Sequence, residues 1–145
     1  MTNLTDITVE EFTSPTLVTI DGDKSMDQAL ELMQENRIRH LPVIKDRKVV
    51  GVISERDVLI HIGKDWGKML KVEEVMNTSI LAVFLNDNLG EVALQLSSQK
   101  KGSAIVLDTN GDLYGIFTTT DALNALVEIF YPMANGLSDL KESRV

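Results

Sequence analysis

The chain has no cysteine. That excludes a disulfide framework and any thiolate metal site, and it fits a reducing cytoplasm. Histidine is nearly as scarce: His40 and His61 are the only two, far apart and without a carboxylate cluster, a poor basis for a metal site. Aromatic residues make up 5%, so a core has to be built from Val, Ile, Leu, Met and Ala. No segment approaches the roughly 18 apolar residues that a bilayer span needs. The opening run MTNLTDITVEEF carries acids where a secretory signal needs a basic start and an apolar stretch. Positive charge is short as well, with 14 Lys and Arg against 22 Asp and Glu and a formal net charge of −8. Such a domain is repelled by phosphate polymers and anionic membranes, so neither nucleic acid nor membrane is an expected partner. A small phosphate ligand would need only a few local cations. Catalytic signatures are missing too: there is no Gly-x-Ser-x-Gly, His-Glu-x-x-His or Gly-x-x-x-x-Gly-Lys-Ser/Thr run, and an enzyme is not expected.

What is present is a repeat. Val9-Glu10-Glu11-Phe12 lies over Val72-Glu73-Glu74-Val75 at a shift of 63 residues. At the same shift Met26, Ala29, Leu30 and Met33 lie over Leu89, Val92, Ala93 and Leu96. After Asp108 the shift becomes 64, because the turn Asp108–Gly111 is one residue longer than Lys45–Lys48. Gly51 then matches Gly115, and Asp57 matches Asp121. An insertion confined to a turn is what a structural repeat tolerates.

Both copies predict the same order of elements. A short β-rich run (Leu17–Ile20; Ile80–Val83) precedes a helix with apolar residues at i, i+3, i+4 and i+7. Ser25 with Gln28, and Asn88 with Glu91, offer that helix an N-cap and a return partner. Two nearly all-apolar strands follow, Leu41–Ile44 with Val49–Ser54 and Ala104–Leu107 with Leu113–Thr118, and these are expected to be buried. A closing helix then places Val58, Leu59 and Ile62, or Ala122, Leu123 and Leu126, on its inner face. The chain therefore reads as α/β, a β-α-β-β-α unit written twice. Its expected parts are a first motif at 7–62, a linker at 63–71, a second motif at 72–131 and a polar tail at 132–145. One copy would bury little core alone, so two copies are expected to pack sheet to sheet about a pseudo-twofold axis. Trp66 in the linker is expected to cover the junction of the lobes, and the tail to fray or join dimer contacts.

The order and spacing of these units resemble a tandem pair of CBS domains, the motif first described in cystathionine β-synthase. The residues that carry the resemblance are Arg39-His40-Leu41-Pro42-Val43-Ile44 and Val49–Leu59, then Gly102–Asp108 and Gly115–Leu123, with Val75-Met76 opening the second copy. It covers about residues 7–131. The resemblance implies a module whose cleft holds up to two adenosine-containing ligands, such as AMP, ADP, ATP or S-adenosylmethionine, as regulatory ligands rather than required cofactors. It also implies a homodimer of disc-like shape and, with no enzyme domain attached, a stand-alone sensor acting on an unknown regulated protein.

The motif shared by GVISERD and GIFTTTD has two readings. Hydroxyl-x-x-acid is a common helix N-terminal signature, so Ser54/Asp57 and Thr118/Asp121 can be caps and nothing more. A helix N-terminus is also favourable for anions, and a carboxylate beside it can accept two hydrogen bonds from a ribose diol. In the second reading Ser54, Asp57, Thr118 and Asp121 hold ribose or phosphate oxygen. Arg56 is a phosphate candidate and Thr120 its counterpart. Gly51 and Gly115 would let another backbone or a ligand approach. Apolar walls for adenine would come from Val18-Thr19-Ile20, Leu81-Ala82-Val83, Pro42 and Ile105. Arg37, Arg39 and His40, with Lys100 and Lys101 at the matching place, would supply charge near the central cleft. For the two lysines a bland role is equally open, as charge at a helix C-terminus, and His40 can be structural. Because the copies differ at Arg56/Thr120 and at Arg39-His40/Gly102-Ser103, the two sites are expected to be unequal. The rival class is a dimeric interaction adaptor whose clefts bind nothing.

Overall fold

The structure, a computed structural model, describes residues 3–15, 18–64 and 67–131. Leu17, Trp66 and the tail 132–145, with the expectations attached to them, lie outside the described residues. The elements in chain order are β1 (Ser14–Pro15), β2 (Ile20–Asp21), α1 (Met26–Asn36), β3 (His40–Lys45), β4 (Lys48–Ser54), α2 (Glu55–Ile62), α3 (Val72–Val75), β5 (Ala82–Phe84), α4 (Leu89–Gln99), β6 (Ser103–Leu107), β7 (Leu113–Thr118) and α5 (Thr119–Phe130). Short 3₁₀ turns at Leu4–Asp6, Val9–Phe12 and Gly67–Met69 complete the list. No helix among the described residues is long and apolar enough to cross a membrane.

Two sheets form, one per lobe. The first has the order β2-β3-β4 and the second β1-β7-β6-β5. In each, the opening strand runs parallel to the next and a hairpin follows antiparallel. The first hairpin turns through Asp46 and Arg47, both with positive φ (51° and 65°), the backbone that matches strand twist in a two-residue turn. The second uses the longer loop, where Asp108 Oδ1 accepts from Asn110 N and Asp112 N.

The helices follow the apolar spacing. Met26, Ala29 and Met33 of α1 are buried, as are Leu89, Val92 and Leu96 of α4. Ser25 and Gln28 close a reciprocal capping box. Asn88 caps α4 by accepting from Glu91 N at 3.1 Å without the reciprocal bond from its backbone N to Glu91, and its Nδ2 donates to Thr5 O. The expected inner faces of the closing helices need correction. Val58 and Ala125 are buried, whereas Leu59, Leu123 and Leu126 are 52%, 61% and 51% exposed. Each closing helix presents only a narrow stripe to its own sheet, and these leucines lie beyond it. The opening strands also sit further along than expected, at Ile20–Asp21 and Ala82–Phe84.

The lobes are not the repeats. Ile7 and Val9, from the start of the chain, pack with Val83, Leu89, Val92, Leu96, Ala104, Val106, Phe117 and Ala125 of the second repeat. Val72, opening the second repeat, packs with Ile20, Met26, Met33, Leu41, Val43, Ile53 and Val58 of the first. The backbone bonds obey the same exchange. Val9 N donates to Asp87 O at 2.9 Å, and Val72 N donates to Lys24 O at 2.8 Å. Thr8 bridges Asn88 just as Lys71 bridges Ser25. Farther along, β1 pairs with β7, and Asn77 bridges Val52 of β4. Each exchange occurs in both directions, as a pseudo-twofold axis between the copies relates them.

The two glycines serve this crossing. A Cβ on Gly115 would lie 2.4 Å from Ser14 O, and one on Gly51 would lie 2.6 Å from Met76 Sδ and 2.9 Å from Asn77 O. What approaches each strand is therefore the exchanged backbone. Gly115→Ala is expected to push β1 off β7 and to destabilise the protein by roughly 1–3 kcal/mol, as overpacking does. Urea denaturation measures this, and an unchanged midpoint would contradict the close approach.

Candidate functional site

Both hydroxyl-x-x-Asp motifs are capping boxes. Ser54 Oγ accepts from Asp57 N at 3.1 Å while Asp57 Oδ2 accepts from Ser54 N at 3.0 Å. Thr118 Oγ1 accepts from Asp121 N at 3.3 Å, and Asp121 Oδ2 accepts from Thr118 N at 2.8 Å and from Thr118 Oγ1 at 3.1 Å. Each carboxylate thus spends Oδ2 on its own helix and keeps Oδ1 uncommitted. The first N–H of each helix is tied as well, Glu55 N to Arg39 O (2.8 Å) and Thr119 N to Gly102 O (3.1 Å). That bond fixes the residues before β3 and β6 beside the motif.

Around the first motif lies a cleft of about 650 Å³. The first repeat contributes Arg39, His40, Val52, Leu59 and the run Ser54–Asp57. The second contributes Asn77, the run Ser79–Leu81, and Lys100–Ser103. The exchange described above makes this possible, since α3 packs into the first lobe and delivers residues 77–81 beside β4. Val52, Leu59, Ile80 and Leu81 offer apolar wall; Asp57 Oδ1 and the exposed cations offer polar recognition.

Of the residues singled out in the sequence, Arg39, His40, Ser54, Arg56, Asp57, Leu81, Lys100 and Lys101 line this cleft. The others lie elsewhere. Thr19 and Ile20 line a separate depression of about 370 Å³ with Asp21, Lys24, Gln28 and Glu31. Pro42 is buried within β3. Val83 and Ile105 are buried in the second lobe, and Ala82 is exposed on the edge strand β5. Thr118, Thr120 and Asp121 stand at the start of α5, outside the first cleft, with Thr120 exposed. By the repeat register their cleft would draw on residues 14–18, of which 16 and 17 lie outside the described residues. Sequence reasoning missed Val52, Leu59, Asn77, Ser79 and Ile80. Gly51 held the available signal, because a strand position with no side chain marks where residues 76–77 must cross.

Lys101 is committed to shaping the cleft. Its Nζ donates to Ser79 O and, at 3.2 Å, to Ser79 Oγ. His40 pairs across the hairpin with Ser54 and points at the other repeat, where a Cβ on Gly102 would lie 3.5 Å from its Nε2. Burial lowers its pKa below the ordinary value, against an upward pull from Asp57; Arg39 lowers it further and Asp121 raises it. Among the described residues no cluster of His, Asp and Glu suits a metal ion.

The sign of the pH effect follows. With the folded pKa of His40 below 6.5, the unfolded chain takes up this proton first as pH falls. Stability is therefore lost as pH drops through about 6.5 and levels off below the folded pKa. Urea denaturation at about pH 7.5 and about pH 5.5 should show the loss in the wild type and a smaller one in His40→Ser, which places the second repeat's residue there. Equal losses in both proteins would remove His40 as its source.

Residues 9–64 and 72–128 each match the family model of the CBS domain. The chain is 30% identical over 155 residues to the chloroplastic CBSX2 of Arabidopsis thaliana, covering 84% of this chain and 64% of that one. A crystal structure of CBSX2 in complex with AMP superposes with a TM-score of 0.70 at 34% identity, covering 84% of this chain and 97% of that one. The CBS domain of a bacterial CNNM/CorC family Mg²⁺ transporter in complex with ATP gives a TM-score of 0.76 at 25% identity, covering 86% and 89%. The chain also spans 25% of the homoserine O-acetyltransferase of Methanococcus vannielii, at 23% identity over 85% of its own length. That last likeness is to a quarter of a longer protein. Two family matches, over residues 9–64 and 72–128, with the exchanged α/β architecture between them place this chain in the CBS-domain family, as a tandem CBS pair.

Proposed function

We propose that this CBS pair is a regulatory module that binds an adenosine-containing ligand in the cleft between its motifs and passes the occupancy to a protein partner in the cytoplasm. One observation carries the proposal: a cleft assembled from both repeats brings a capped hydroxyl, a half-free carboxylate, apolar wall and unpaired cations together. Asp57 Oδ1 suits a ribose diol, and Val52, Leu59, Ile80 and Leu81 suit a flat base. AMP in CBSX2 and ATP in the transporter domain, both related pairs, support this reading. Thr118, Thr120 and Asp121 are assigned the equivalent role in a second, unequal site. Because the cleft joins two lobes, a ligand that binds two lobe arrangements unequally would shift the balance between them.

A homodimer is part of the same proposal. Leu59, Ile60, Leu123, Leu126 and Phe130 leave an exposed apolar surface on α2 and α5. That surface is also what favours the second reading, an adaptor that dimerises and binds partners without any ligand.

Titration calorimetry with AMP, ADP, ATP and S-adenosylmethionine separates the two. Asp57→Ala is expected to weaken binding by roughly 1.5–3 kcal/mol, about tenfold to a hundredfold. It also removes a cap bond, which by itself costs roughly 0.5–2 kcal/mol of stability. Asp57→Asn keeps an oxygen for Ser54 N, so it should restore much of the stability while affinity stays low. A folded dimer that binds none of the four ligands would establish the adaptor reading.

A further inference from the structure

We infer that the first cleft selects adenine nucleotides bearing a polyphosphate over the sulfonium of S-adenosylmethionine, with Arg39, Arg56 and Lys100 as the residues that read the phosphates. This rests on the adenosine-ligand reading above and deepens it. The chain has 22 acids against 14 bases, yet the cleft reverses that balance: Arg39, Arg56, Lys100 and Lys101 face it against the carboxylates of Glu55 and Asp57. The salt bridge Lys45–Glu73 joins two residues that do not line the cleft, and none of Arg39, Arg56 and Lys100 has an acidic partner among the described residues. Three unneutralised cations from three separate elements converge on one opening. Arg39 precedes β3, Arg56 lies in the first turn of α2, and Lys100 ends α4. A ligand with several negative charges relieves their mutual repulsion. A sulfonium adds to it.

The backbone of Lys100 strengthens the assignment. It caps α4 in the left-handed region at φ 54°, where glycine fits without steric cost. Its counterpart in the first repeat, Arg37, caps α1 at φ 55°. A lysine held there brings charge to the cleft at a backbone cost that glycine avoids, and part of that charge also favours the helix C-terminus. Lys101 acts differently. Its ammonium is occupied by Ser79, so it positions the wall segment 79–81 and leaves phosphate contact to its neighbour.

The test uses two variants that change charge without removing a cap or a core side chain. Lys100→Gly suits the left-handed backbone and should leave the denaturation midpoint unchanged or raised. Arg56→Thr installs the residue of the second repeat, Thr120. Calorimetry at low salt is run with adenosine, AMP, ADP, ATP, S-adenosylmethionine and inorganic tripolyphosphate. In the wild type, affinity should rise with each added phosphate, fall with rising salt, and be no higher for S-adenosylmethionine than for adenosine. The double variant should lose roughly tenfold or more for ATP while keeping its affinity for adenosine. Equal affinities for adenosine and ATP, or tightest binding of S-adenosylmethionine, would overturn the inference and leave the adenosine reading standing. Tripolyphosphate binding that the double variant loses, with no binding of adenosine or AMP, would uphold the polyanion assignment and overturn the adenosine reading. Silence with all six ligands would overturn both.

Discussion

Val9 and Val72 are wholly buried, each in the lobe built by the other repeat. This crossed packing is the constraint on which the rest depends. Without Val72 the first sheet and its helices lack a core side chain; without Ile7 and Val9 the second does. Each side chain removed from water contributes on the order of 1.5–3 kcal/mol, a large share of a small protein's net stability. The crossing also makes the cleft, because the segment that enters the first lobe at Val72 continues as the wall at Asn77, Ser79, Ile80 and Leu81. Core and site are therefore consequences of one exchange, and the glycines at 51 and 115 are its steric condition.

The doubled motif performs a structural task before any other. Its hydroxyl and one carboxylate oxygen close a capping box in each repeat, which orients the closing helix against its strand. The same bonds hold the second carboxylate oxygen in a fixed direction at the helix start. Structure and recognition are thus not alternatives at Asp57 and Asp121. The cap is what preorganises the group that a ligand would meet, so a single substitution disturbs both.

Pseudo-symmetry sets two equivalent motifs, and the side chains around them then make them different. His40 faces Gly102 across the junction, while Ser103 takes its place in the second repeat. Arg56 is matched by Thr120, and Lys101 by Ile38. Asp57 and, more weakly, Asp121 both pull the pKa of the half-buried His40 upward, so charges of both motifs reach this one side chain. Such an asymmetry about an axis gives each motif its own electrostatic surroundings while the backbone stays alike.

The amino-acid order alone determined the repeat, the hairpins, the four long helices and their caps, because each depends on spacing within a few residues. Met26, Ala29 and Met33 recur at helical intervals, and Ser25, Ser54 and Thr118 sit where a cap must. It also placed Arg39, His40, Ser54, Arg56 and Asp57 near one another, since the hairpin and the helix that follows it are contiguous. Only the tertiary structure decided which lobe each opening segment joins. Val9 and Val72 read the same whether they pack at home or across the axis, and local periodicity carries no information on that choice. It likewise decided that Leu59, Leu123 and Leu126 face outward, because an apolar helix position is buried only if a neighbour covers it. The wall at Asn77, Ser79 and Ile80 was illegible for the same reason: proximity across some 25 residues of chain is set by the crossing of backbones at Gly51, which exists only once both lobes have packed.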